Sequence, residues 1–199
     1  MSVNLIKIIQ ENLGFPALEK IDPTTQQPAT ATDGVTDDGV TENKFSQAAI
    51  PAVVTGLYKF VQSDEGATEF LHANDDINWV AKIFDDNRMA AVQTISAYAK
   101  QLNEDPVAKM NAIAQEAVKV IKDNLPADAG IKEVKTFFND QRNHILVYLP
   151  AELKMGELLH DNTLDDDTNK MEGPISSLIK SIGSAFSNPV TGDEMKEKQ

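Results

Sequence analysis

Apolar residues recur along most of this chain at the spacing of helix faces. Leu5, Ile8, Ile9 and Leu13 fall at offsets 0, 3, 4 and 8, one face of a 3.6-residue period, and predict an opening helix. Gly14 marks its stop, and Pro16 opens a short second turn carrying Leu18 and Ile21. The pattern then lapses. Residues 22–43 are threonine-rich, contain two prolines and two glycines, and hold only Val35 and Val40 as sizeable apolar side chains. Such a stretch buries too little surface to offset its ordering entropy, so it reads as a disordered acidic linker. Helical spacing resumes near Phe45. Ser46 reads as the N-cap and Pro51 as a first-turn residue, where its missing N–H costs little. The face behind them is Ile50, Val53, Val54, Leu57, Tyr58 and Val61.

Ser63 to Gly66 reads as a break and a new N-terminus ahead of Phe70 and Leu71. Asn74, Asp75 and Asp76 read as the cap of a segment bearing Ile77, Trp79, Val80, Ile83 and Phe84. Asp85, Asp86 and Asn87 read as the cap of the next, with Met89, Val92, Ile95, Tyr98 and Leu102 as its face. Carboxylates in these places favour the positive end of a helix dipole. Asp105-Pro106 is a cap followed by proline at the first helical position, and it opens the clearest helix, running to about Leu125. Ile131, Val134, Phe137, Phe138, Gln141, Ile145 and Leu149 suggest another, although His144 to Leu149 also fits a short strand; without partner strands, helix is preferred. Pro150 opens a short helix with Leu153, Leu158 and Leu159, and Gly173-Pro174 opens a last one that ends near Ser187.

The fold expected is all-α, a multi-helix bundle of about seven to nine helices, because each segment has one apolar stripe to bury. Its organisation is an N-terminal amphipathic helix over 1–21, the linker over 22–43, a helical bundle domain over 44–188 and a disordered tail over 189–199.

Charge sharpens this picture. The 199 residues carry 18 basic and 31 acidic side chains, a net charge of −13. That argues against nucleic acid as a partner, since phosphate neutralisation needs clustered Lys and Arg. Residues 106–160 are balanced, with 7 of each sign, while five acids and no base fall in 22–43. The acidity is therefore segmental. There is no cysteine, which removes disulfides, thiolate nucleophiles and cysteine zinc sites. The N-terminus lacks a basic stretch, a continuous apolar stretch and a small-residue cleavage site, so the expected location is cytoplasmic.

Candidate chemistry is sparse. His72, His144 and His160 have no second histidine three or four residues away, so no helical metal pair forms. Asp161, Thr163, Asp165, Asp167, Asn169 and Glu172 place oxygens at positions 1, 3, 5, 7, 9 and 12 of a twelve-residue window, the spacing of a calcium loop. The window departs from that pattern where the turn needs glycine, at Asp166, and where an apolar residue is usual, at Thr168. Asp161, Asp165, Asn169 and Glu172 are thus candidate calcium ligands, set against a solvated acidic loop. No nucleophile elbow, dinucleotide-binding glycine motif or phosphate-binding lysine loop is present, and no cofactor is expected beyond calcium.

The most suggestive element is 173–188. Ile175, Leu178, Ile179, Ile182 and Phe186 lie at offsets 0, 3, 4, 7 and 11, opposite a nearly uncharged face of serines. Such a stripe can dock in its own core, on a protein partner, or on a membrane surface, where interfacial helices of this composition bind packing defects.

Ala49-Ile50-Pro51-Ala52-Val53-Val54-Thr55-Gly56-Leu57 and Ser63-Asp64-Glu65-Gly66-Ala67 resemble two stretches of the YidB-like bacterial domain of unknown function. The likeness covers roughly residues 1–20 and 44–84, departs from the family in the acidic linker and at Asp64, where proline is usual, and does not reach Pro106 onward. It implies an all-helical bacterial protein and brings no catalytic residues.

The leading expectation is accordingly a non-enzymatic interaction or assembly protein. Leu5, Ile8 and Ile9, carried on the linker, would reach another protomer, and the 175–186 stripe would meet a protein partner or a second copy. The alternatives are a peripheral membrane-surface protein using 174–187 and a calcium-binding protein using 161–172.

Overall fold

The fold is organised around one helix. The computed structural model describes residues 3–21, 37–74, 76–100 and 105–161, with only the backbone of 37–42. These all fall within one unit, Met1–Asp165. The described helices are α1 (Leu5–Asn12), α2 (Asp37–Phe60), α3 (Asp64–His72), α4 (Trp79–Phe84), α5 (Arg88–Ala99), α6 (Pro106–Asn124), α7 (Ile131–Leu146) and α8 (Met155–Leu159). Two single-turn 3-10 segments, Asp85–Asn87 and Ala151–Leu153, complete the set. The architecture is all-α, with seven helices of six residues or more and the five-residue α8 among the described residues. The expected helix at 173–188 lies outside them, as do residues 22–36.

Every residue of α2 from Phe45 to Leu57 is buried, and α1, α4, α5, α6, α7 and α8 all pack against it. Its sequence there is apolar or small nearly all round, which is the composition of a helix enclosed by others. Gly56 lets α4 in closely: a Cβ there would sit 3.0 Å from Ile83 Cδ1. Two expectations are corrected here. The helix begins at Asp37, so the linker reading of 37–43 fails, and Ser46 is an interior residue rather than the cap. A serine hydroxyl inside a helix can bond back one turn, and Ser46 Oγ donates to Asn43 O at 3.0 Å. Pro51 likewise lies in the helix interior. It leaves the Gln47 carbonyl without its usual donor one turn on, a defect of about 3 kcal/mol in an isolated helix.

The turn from α2 to α3 forms as expected. Ser63 Oγ accepts the Gly66 N–H at 2.9 Å, and any Cβ at Gly66 would collide with the Phe60 carbonyl, 2.0 Å away. The cap of α4 is Asn78, whose Oδ1 accepts Ala81 N–H, and not Asn74 to Asp76. Asn87 takes the N-cap position of α5, as expected, but neither it nor Asp85 or Asp86 makes a side-chain cap bond there. The three residues form a 3-10 turn with Asp85 at φ +42°, and Asn87 Nδ2 instead donates to Leu158 O at 3.0 Å. Aromatic rings tie these elements together. Trp79 meets Phe60 at 5.9 Å and Phe70 at 6.1 Å, and Phe70 meets Phe138 of α7 edge-on at 5.8 Å.

In α5 the buried face is Ala91, Val92, Ile95 and Ala99, and Met89 is 58% exposed. The stripe expected from Met89 to Tyr98 steps by threes. Each such step falls about 60° short of a full turn, so residues nine apart lie on opposite sides of a helix. α6 matches expectation closely: Asp105 caps it through Val107 and Ala108 N–H, and Met110, Ile113, Ala114, Ala117, Val118 and Ile121 are buried. α7 runs to Leu146, after which Val147 to Leu149 leave the helix. The strand character of that segment survives as one backbone bond, Ile21 N–H to Val147 O at 2.8 Å.

The largest correction concerns α1. Leu5 and Ile9 are wholly buried, Ile6 nearly so, and Ile8 is partly buried against the same core. The helix packs on α6, α7 and α2, and Asn12 Nδ2 donates to Glu116 Oε1 at 2.7 Å. Burying one such side chain is worth about 1.5–3 kcal/mol. Doubling the length of a connection adds only about 0.6 kcal/mol of closure cost. Three buried anchors therefore hold α1 in its own core, and its apolar face is not a free interaction surface.

Candidate functional site

The residues singled out for chemistry divide into those the fold commits and those beyond it. Asp161 closes the described chain. α8 ends in a left-handed His160, and Asp161 N–H reaches back to Gly156 O at 2.8 Å. This turn aims the Asp161 carboxylate at α2, where Lys59 Nζ meets Oδ2 at 2.7 Å. The first oxygen of the calcium-loop spacing is thus engaged by an ammonium group. Asp165, Asn169 and Glu172, with Thr163 and Asp167, lie outside the described residues, as do Ile175, Leu178, Ile179, Ile182 and Phe186. Among the described residues, no group of three His, Asp or Glu side chains is placed to hold a metal ion.

The histidines stay apart, as their spacing implies. His72 Nδ1 lies 2.8 Å from Thr68 O, one turn back on α3. His160 Nε2 lies 3.0 Å from Asn87 Nδ2. The same amide nitrogen donates to the Leu158 carbonyl, so Asn87 joins the ring and backbone of the α8 end.

Among the described residues, two titratable groups depart from their ordinary values. Burial raises the Tyr98 hydroxyl, and the carboxylates of Glu152 and Glu19 raise it further. Tyr98 therefore holds its proton at neutral pH and is a poor base or nucleophile. Glu133 is lowered, chiefly because its carboxylate accepts the Gly130 N–H at 3.0 Å, where it closes the first turn of α7. Both shifts belong to helix packing and capping.

Carboxylates on the outer face of α3 are also occupied. Asp64 meets Lys135 of α7 at 2.6 Å, and Glu69 meets Lys82 of α4 at 2.6 Å. With Glu65, Thr68 and His72 they line a shallow surface depression. Pattern reading misses the seam between α2 and α7 where Thr55, Tyr58, Arg142, Ile145 and Leu146 meet, leaving no space for a water molecule. Its residues come from segments far apart in sequence, and no local signal marks it. Pattern reading also misses the role of Gln47, whose Oε1 accepts Glu19 N–H at 2.8 Å while Nε2 donates to Glu19 O and Tyr148 O.

Large apolar side chains exposed among the described residues are Met89 on α5 and Val147 after α7. No helix among the described residues is long and apolar enough to cross a membrane. No family model, no curated protein and no solved structure matches this chain.

Proposed function

We propose that this chain is a non-enzymatic interaction or assembly protein, in which a helical scaffold accompanies a binding segment with the apolar stripe Ile175, Leu178, Ile179, Ile182 and Phe186. The observation that supports the reading is how polar groups are spent. Asp161 pairs with Lys59, Asp64 with Lys135, Glu69 with Lys82, His72 with the Thr68 carbonyl and His160 with Asn87. These contacts join helices and close turns, which is structural work. With the face of α1 inside the core, the unassigned apolar stripe of the sequence is the one at 175–186. The resemblance to the YidB-like domain implies an all-helical protein and brings no catalytic residues of its own.

The test is light scattering across a concentration range, together with affinity capture from the native host. The expected result is concentration-dependent association, or recovery of one defined protein, with either lost in the Leu178→Asp/Ile182→Asp double variant while the unfolding transition is retained. A strict monomer that recovers no partner overturns the proposal. Flotation with neutral, highly curved vesicles that depends on the same two residues moves the stripe to a membrane surface instead. A calorimetric calcium signal abolished by Asp165→Asn assigns the acidic window, and with it the calcium alternative.

A further inference from the structure

We draw no further inference here: the strongest candidate, the shallow depression on the outer face of α3 lined by Asp64, Glu65, Thr68, Glu69 and His72, is an acidic cluster whose Asp64 and Glu69 are already paired with Lys135 and Lys82, and no second observation points to a ligand there.

Discussion

Along α6, Ala108, Ala112, Gln115, Lys119 and Asp123 face outward at spacings of three and four, while Met110, Ile113, Ala114, Ala117, Val118 and Ile121 face in. Along α2 no such alternation exists, because every residue from Phe45 to Leu57 is buried. Both helices are long, and they pack on each other. The difference lies in what surrounds them. α6 has neighbours on one side and water on the other, so its chemistry can vary on the wet side without touching the core. α2 has neighbours on all sides, so its side chains are constrained by size as well as by polarity.

A buried ammonium is the harshest test of this contrast. Lysine at Ala48, Ala49 or Ile50 samples three directions about 100° apart around α2. Each substitution is expected to cost about 4 kcal/mol or more, read as a lowered urea midpoint of the full chain or as failure to fold. Lysine at Ala108 or Ala112 on the outer side of α6 is expected to change stability by no more than about 0.5 kcal/mol. A tolerated lysine at any of the three α2 positions breaks the comparison.

The next effect sits where α2 ends. Gly66→Ala places a methyl against the Phe60 carbonyl, which is backbone and cannot yield, and should cost about 3 kcal/mol. Gly56→Ala meets the side chain of Ile83, from Cδ1 at 3.0 Å to Cβ at 3.4 Å, with no backbone in the way, and alanine is the better helix former. It should stay within about 1 kcal/mol of the parent, and equal losses in the two variants would show that α4 cannot shift.

Smaller again is the cap of α6. Asp105→Ala removes the acceptor of two N–H groups and should cost about 1 kcal/mol, with Asp105→Ser retaining most of it. Glu133 at the start of α7 gives the smallest effect, and it depends on pH. Its carboxyl is lowered in the folded chain, so its contribution is full above the ordinary carboxylate range and fades as pH falls through the lowered value. Glu133→Gln should therefore weaken the chain at neutral pH and converge with the parent in acid, as followed by thermal melts across pH.

The same contrast explains what can be read in advance. α6 announces itself because half of it is wet: its cap, its proline and its period are all local signals. The start of α2 does not, since a helix enclosed by others has no polar face to mark its limits. Ser46 resembles a beginning only because the apolar run after it is dense. Counting by threes misplaces Met89, and Asn78 is hidden beside the more conspicuous Asn74, Asp75 and Asp76. The amphipathic character of α1 is plain in its sequence, but which surface it covers depends on α6 and α7, more than 90 residues later. Of the candidate site, Asp161 is legible as an oxygen donor, whereas its pairing with Lys59, 102 residues away, is not.

Gln47 carries a kinetic consequence. Its one amide holds Glu19, 28 residues before it, and Tyr148, 101 residues after it. Contacts of that span raise the contact order above that of a bundle of sequence neighbours, and folding slows as contact order rises. Residues 15–21, which follow α1 without helix, are held to α2 through Gln47, and the same amide joins them to Tyr148 beyond the end of α7. In the native state the amide proton of Glu19 exchanges with solvent when its bond to Gln47 Oε1 opens, so its protection measures how often residues 15–21 part from α2.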